Sequence, residues 1–224
     1  MKRIALYTYN ARKLVLTTKD PKGTYTINTY DAKGNLTSAK VAASLSGPAL
    51  SETSYTYNTG GSVLTQTVTV DGVAQVTGYL YDTHGNLTKE TDALGHETTY
   101  THDSNGNRLT QTTTRTTFTC TGTGCTPSGT ETLTTTYEYD KLGRLKKTID
   151  ADGFTQTVYN ALGKQVESYD KLNRKTSYEY DLMGRLTKTT YPDTTYEDGE
   201  YDGEGRRIKS WDRARRLTEY KYDD

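Results

Sequence analysis

An aromatic or aliphatic residue followed by Asp or Asn returns every ten or eleven residues through the second half of the chain, and this beat limits the fold more than any other feature. The pairs are Tyr139-Asp140, Ile149-Asp150, Tyr159-Asn160, Tyr169-Asp170, Tyr180-Asp181, Tyr201-Asp202, Trp211-Asp212 and Tyr222-Asp223, with Tyr191-Pro192-Asp193 in the single gap. The first half keeps the beat more loosely, at Tyr9-Asn10, Asp20, Tyr30-Asp31, Tyr57-Asn58, Asp71, Tyr81-Asp82, Asp92 and His102-Asp103. A fixed internal period points to one small unit stacked many times.

Each beat has an internal order. After the Asp come two variable residues and then Gly, as in Asp140-Lys-Leu-Gly143, Asp150-Ala-Asp-Gly153, Asp181-Leu-Met-Gly184 and Asp82-Thr-His-Gly85. That order fits a type I turn followed by one left-handed residue, the three-residue hairpin loop. The carboxylate can accept backbone N–H groups two residues on, and Gly reaches positive φ without Cβ strain. Asn173 stands in the Gly slot once, which Asn tolerates. Lys13 and Arg215 stand there too, so those turns are expected to be strained or differently shaped. The loop length sets the register: Asp140 faces Arg144 and Tyr139 faces Leu145, with Asp181/Arg185, Tyr180/Leu186, Asp31/Asn35, Tyr30/Leu36 and Tyr81/Leu87 in the same frame. Each turn is thus closed by a polar pair on one face and an aromatic–aliphatic pair on the other, each contributing roughly 0.2–1 kcal/mol. A lone hairpin is marginal in water, so the units must lie side by side. The expected fold is all-β: tandem antiparallel hairpins in a long, twisted, spiralling sheet. Its structural residues are Tyr30, Asp31, Gly34, Tyr81, Asp82, Gly85, Tyr139, Asp140, Gly143, Arg144, Tyr159, Tyr169, Tyr180, Asp181, Gly184, Arg185, Tyr201, Asp202, Gly205 and Trp211.

Composition agrees with a thin sheet. Leu, Ile, Val and Phe supply only 34 of 224 residues, below the roughly 20% expected of a chain with an ordinary core. Twenty Tyr and abundant Thr favour strands instead. The 28 basic and 28 acidic residues cancel, so no basic excess points to nucleic acid. No apolar run is long enough to span a membrane. The start, with Lys2 and Arg3 before an apolar run broken at Thr8 and Asn10, is too short for a secretory signal.

Two stretches break the beat and divide the chain. Residues 1–110 read as a repeat sheet with a loop at 41–50, where Gly47-Pro48 replaces an Asp turn. Residues 111–138 read as a Thr-rich insert of two lengthened strands, with Cys120 and Cys125 near its tip. Residues 139–224 read as the regular repeat sheet. The two cysteines form a tip disulfide in an oxidising compartment and are free thiols otherwise. They have no second Cys or His pair with which to complete a zinc site. His84, His96 and His102 fall in or beside turns or in a repeat Tyr position, and no nucleophile elbow or zinc-helix motif accompanies them. The Asp residues stand where turns need them, and Trp211 stands at a repeat aromatic position. The residues therefore give no catalytic, cofactor or metal site.

Tyr139-Asp-Lys-Leu-Gly-Arg-Leu145, Tyr180-Asp-Leu-Met-Gly-Arg-Leu186 and Tyr81-Asp-Thr-His-Gly-Asn-Leu87 resemble the core of the RHS (YD-repeat) family. The resemblance covers nearly the whole chain outside the insert and the 41–50 loop. It implies a hollow β-shell that encloses a C-terminal toxin in bacterial polymorphic-toxin and insecticidal-toxin systems, or a related surface adhesion protein. The partners it implies are the rest of a longer RHS protein and an enclosed toxin cargo, in a secreted or cell-surface setting. The family's shell-closing, self-cleaving segment and toxin domain have no counterpart here, and the chain starts and stops inside repeats. A fragment of a longer protein, or a truncated reading frame, is expected, forming an open curved sheet. Its edges invite self-association. The alternative is an extracellular adhesive, glycan-binding or self-assembling sheet that uses exposed Tyr and the insert.

Overall fold

The computed structural model describes residues 5–122 and 124–223; Lys2 and Arg3 of the basic start, Thr123 of the insert and Asp224 lie outside the described residues. These residues form nineteen β-strands and no helix. They divide into two units, residues 1–106 with 111–132 and residues 107–110 with 133–224. The first unit holds β1 (Leu6–Tyr9), β2 (Val15–Lys19), β3 (Tyr25–Tyr30), β4 (Leu36–Ala42), β5 (Ala49–Tyr57), β6 (Val63–Val70), β7 (Val73–Tyr81), β8 (Leu87–Thr91) and β9 (Glu97–His102). Each pairs antiparallel with the next in sequence. Two long strands follow, β10 (Arg108–Thr121) and β11 (Gly124–Tyr139), whose far parts belong to the first unit. The second unit continues from β11 through β12 (Leu145–Asp150), β13 (Gly153–Tyr159), β14 (Gln165–Tyr169), β15 (Lys175–Tyr180), β16 (Leu186–Thr190), β17 (Tyr196–Tyr201), β18 (Arg207–Trp211) and β19 (Leu217–Glu219). It too is an antiparallel meander.

The ten-residue beat hides two kinds of turn. Turns after odd-numbered strands keep one form, a three-residue loop opened by Asp or Asn. At Asp140 its N–H donates to the Arg144 carbonyl at 3.0 Å and Gly143 N–H donates back to Asp140 at 3.0 Å. In the described odd-turn hairpins an extra residue then enters the returning strand. Tyr139 faces Leu145 but Glu138 faces Lys147, so Lys146 is a bulge. The same step occurs at Thr187 and at Thr37. Even turns vary. Val70 faces Val73 and Asp150 faces Gly153, so two-residue turns stand at Asp71-Gly72 and Ala151-Asp152.

Three sequence expectations need correction, and a fourth resolves between its two alternatives. Asp150 does not open a three-residue loop. That register would face Asp150 with Phe154, whereas the shorter turn sets Phe154 against Ile149, apolar on apolar. Tyr191 is not the aromatic partner of a following Asp but itself opens a turn. Its N–H donates to the Thr195 carbonyl at 2.8 Å, with Pro192 in the position where its fixed φ fits. The 41–50 loop shrinks to residues 43–48, because Val41 pairs with Ser51 and Ala42 with Ala49 before Gly47-Pro48 breaks the pattern. Lys13 and Arg215 keep the ordinary turn shape, both at φ 62°, so they carry strain rather than a different geometry.

No apolar core fills either unit. Ala42 is the buried apolar residue, and no large side chain is fully buried among the described residues. Strand side chains on both faces are half-covered by their cross-strand neighbours, as β2, β8, β14 and β16 show along their whole length. A sheet wet on both faces is suited to Thr, Tyr and long charged side chains, whose stems cover neighbours while their heads stay in water.

The strained turns make a comparison. Lys13→Gly should stabilise the protein by about 1 kcal/mol, since Gly removes the left-handed penalty. Arg215→Gly should gain less or lose, because the Arg215 guanidinium lies 2.8 Å from Asp198 and 4.4 Å over the Tyr196 ring. Chemical denaturation midpoints of the two variants would show the difference.

Candidate functional site

The odd turns carry the most ordered chemistry in the molecule. At Asp31, Asp82, Asp140, Asp181 and Asp202 the carboxylate is used twice. Asp140 Oδ1 accepts the N–H groups of Leu142 at 2.9 Å and Arg144 at 3.0 Å. Its Oδ2 accepts from the Arg144 guanidinium, Nε at 2.7 Å and Nη2 at 2.6 Å. Asp181 with Arg185 and Asp202 with Arg206 repeat the arrangement. Asp31 and Asp82 use the side-chain amides of Asn35 and Asn86, each at 2.9 Å.

The arginine also reaches the next odd turn. Arg144 lies 4.2 Å over the Tyr159 ring, Arg185 4.8 Å over Tyr201 and Arg206 5.1 Å over Tyr222. Arg185 Nη1 donates to the Asp202 carbonyl at 2.9 Å. This contact gives Gly163 a second duty besides its φ of +79°: a Cβ there would sit 3.1 Å from Arg144 Nη1.

The tyrosine hydroxyl completes the link. Because of the bulge, the ladder between successive hairpins stops short of the odd-turn edge: β12 and β13 pair only as far as Lys147–Gln156, leaving the Leu145 carbonyl unmatched by a strand. Tyr159 Oη donates to that carbonyl at 3.2 Å. Tyr180 serves Gln165 at 2.8 Å, Tyr201 serves Leu186 at 2.9 Å and Tyr222 serves Arg207 at 2.7 Å. Tyr139 likewise donates to Arg108 at 2.9 Å. In the first unit Tyr30 donates to Val15 at 2.9 Å and Tyr57 to Leu36 at 2.6 Å. Apart from Arg108, each carbonyl taken is that of the residue facing the previous repeat tyrosine.

Not every predicted repeat residue joins this relay. Tyr169 and Trp211 stand at even turns. Tyr169 donates to Glu167 at 2.8 Å, and Trp211 faces Leu217 in the strand register. Tyr81 faces Leu87, and Gly34, Gly85, Gly143, Gly184 and Gly205 all take positive φ in their turns. His102 occupies the tyrosine slot, and its Nδ1 is buried without a hydrogen-bond partner. His96 closes the Asp92 turn, with Nδ1 2.8 Å from Asp92 Oδ2. Cys120 and Cys125 are joined by a disulfide. Sequence reading missed the even-turn cations. Lys171 reaches Asp150 at 2.6 Å, and Arg213 pairs with Asp193 and lies 4.4 Å over Tyr191. Their signal is a Lys or Arg directly after the turn Asp. Among the described residues no three His, Cys, Asp or Glu side chains gather as a metal site.

Electrostatics follow from the same contacts. Asp140 and Asp202 are held below the ordinary aspartate value of 3.8, first by the arginine side-chain hydrogen bond, and Asp181 first by the Arg185 backbone N–H. Tyr57, Tyr81 and Tyr180 are pushed above the ordinary 10.0, first by burial. The lowered carboxylates stabilise the fold fully above 3.8, and this is lost as pH falls through their folded values. The raised phenols stabilise it below 10.0, and this is lost as pH rises.

Substitutions and a pH profile test the relay. Tyr180→Phe should cost about 1 kcal/mol, the net worth of one hydrogen bond with its acceptor left unmatched. Arg185→Ala should destabilise more than Arg174→Ala, because Arg174 pairs with its own turn Asp170 at 2.7 Å but stands at an even turn. A thermal-melting profile against pH should show a plateau that drops in acid below 3.8 and in alkali above 10.0. Replacing Asp140, Asp181 and Asp202 together by Asn should lower the plateau and flatten its acid side.

Comparison with known proteins then gives these repeats a family. A comparison with curated proteins finds no match. Among solved structures, the chain is similar to one titled Crystal Structure of TcdB2-TccC3, at 19% identity and TM-score 0.44, covering 93% of this chain and 14% of that one. It is similar to the TcdB2-TccC3-Cdc42 crystal structure at 18% identity and TM-score 0.43, covering 93% and 13%. A Photorhabdus luminescens Tc holotoxin pore carrying a TccC3 mutation matches at 20% identity and TM-score 0.44, covering 92% and 13%. The chain therefore spans well under two thirds of the solved chains it matches. The family model described as RHS Repeat matches residues 81–119, 125–155 and 159–196. Through these three stretches, which hold Asp82, Tyr139, Asp140, Arg144, Tyr159, Tyr180 and Arg185, the chain matches the RHS-repeat family.

Proposed function

We propose that this chain is a wall segment of an RHS-type shell, a non-catalytic scaffold that encloses or presents a toxin or other cargo as part of a larger secreted or cell-surface protein. The observation that carries this reading is the odd-turn relay. A repeat tyrosine reaching back to the previous hairpin recurs in both units, and in the second unit Arg144, Arg185 and Arg206 reach forward to the next tyrosine, so neighbouring hairpins are joined without a large apolar core. A wall needs that property, whereas an enzyme needs a preorganised pocket. The acid–base groups of the odd turns are already committed to backbone N–H, guanidinium or carbonyl partners. No described helix is long and apolar enough to cross a membrane.

The test uses the whole natural protein that contains this sequence. Limited proteolysis should leave a further domain of that protein intact while the repeat sheet is folded. Arg144→Ala, Arg185→Ala and Arg206→Ala combined should loosen the wall and expose that domain to cleavage. A natural protein with no further domain, or one whose further domain is cut equally fast with the wall intact, would overturn enclosure.

An adhesive sheet is the second reading, favoured by the exposed Thr-rich strands of β10 and β11. Glycan binding that disappears on deletion of residues 111–138 would support it over the wall.

A further inference from the structure

β10 and β11 run on past their neighbours. The Thr98 hydroxyl meets that of Thr113 near the start of β9, and the β11–β12 register begins only at Thr136–Ile149. Between these limits lies a two-stranded ribbon, residues 115–121 and 124–132, with most of its side chains exposed. Arg115 bridges it to Glu131, Nη2 to Oε2 at 2.8 Å, and the Cys120–Cys125 disulfide closes its tip. A ribbon of two strands is marginal alone, because half of its backbone groups point outward unpaired.

The two outer edges differ. On the β11 side stand Pro127, which has no N–H to give, and Gly129 at φ +155°, together with the charged Glu131. Pro and charge are the usual protections of a sheet edge. On the β10 side, Thr116-Thr117-Phe118-Thr119-Cys120-Thr121 contains no Pro, no Gly and no charge. Six residues of high β-propensity and no charge are the composition that pairs with itself. Phe118, near the middle of the six, is 59% exposed.

We infer that the outer edge of β10, residues 116–121, pairs antiparallel with the same edge of a second copy of this chain. Three observations select a second copy over another partner. The segment carries no charge that would recruit a basic or acidic partner. The nearest charge, Arg115, is already neutralised by Glu131 within the ribbon, so two copies meet without repulsion. An antiparallel two-fold near the segment's centre brings Phe118 of one copy close to Phe118 of the other, where aromatic side chains across a pair attract. The disulfide restrains the tip in advance, which lowers the ordering cost of association. The contact goes beyond the wall reading and does not depend on it.

Sedimentation equilibrium of the oxidised 224-residue chain tests the contact. The chain should form dimers, and Phe118→Lys and Phe118→Glu should each weaken them by roughly a hundredfold, since like charges then face each other. An equimolar mixture of the two variants should restore dimers as heterodimers. All variants change an exposed side chain, and an unchanged circular dichroism spectrum checks that the sheet is intact. A monomeric parent chain, a dimer indifferent to Phe118→Lys, or a mixture that stays monomeric would each overturn the homotypic edge.

Discussion

Everything regular in this chain depends on a wedge that opens between hairpins at the odd turns. The bulged residue, such as Lys146 or Thr187, bends the returning strand, so the inter-hairpin ladder stops before the turn. A backbone carbonyl left there would lack a partner on a half-covered surface, at a cost of about 1–3 kcal/mol. The repeat tyrosine is the side chain whose length and single donor fill the wedge, ring in the gap and hydroxyl on the carbonyl. The arginine then covers the outer face of that ring while its own charge is balanced by the turn aspartate. One short run, Tyr-Asp-x-x-Gly-Arg, therefore makes a turn, a bulge closure and a link to the next unit.

This device explains how a sheet can hold together with little more than Ala42 buried. A cation over an aromatic ring at an exposed site contributes about 0.5–1 kcal/mol, and one more hydrogen bond about 1 kcal/mol. Neither is large, but the hydrogen bond recurs in both units and the cation–ring contact along the second, and each contact involves only adjacent hairpins. Stability is then a sum over neighbours, as in other repeat proteins. It grows with the number of hairpins and does not require enough Leu, Ile and Val to fill an interior. The scarcity of aliphatics, a sign of disorder in an ordinary sequence, is what a one-layer sheet permits.

Much of this could be read from residues alone, because turn chemistry is local. Asp at the first position and Gly at the fourth determine loop length, and loop length determines which residues face each other; Tyr139 with Leu145 and Tyr180 with Leu186 stand in that register. What escaped is what local rules do not contain. Asp150-Ala-Asp-Gly153 has the same four-residue grammar as Asp140-Lys-Leu-Gly143, yet it forms a shorter turn because Ile149 and Phe154 gain more by facing each other. Tyr191 reads as a repeat tyrosine, but Pro192 suits the second turn position and pulls the frame back by one residue. The bulge left no mark of composition, since Lys146, Val166, Thr187 and Ile208 share no chemistry. Without the bulge, the tyrosine hydroxyl has no visible acceptor and the two classes of turn look alike.

The difference between the classes also decides where the sequence is free to vary. In the second unit an odd turn is bound to the previous one by a tyrosine reaching back to one carbonyl and, from Arg144, Arg185 and Arg206, an arginine reaching forward to one ring. Adding residues there would move donor, acceptor and ring together out of reach. Even turns carry looser ties, such as the flexible Lys171 stem to Asp150, which tolerate a change in loop length. The two-residue turns at Asp71 and Ala151, the six-residue loop at 43–48 and the long β10–β11 hairpin with its disulfide all follow even-numbered strands. Odd turns hold the array together, and even turns are where new loops, and with them new contacts, can be added at little cost to the sheet.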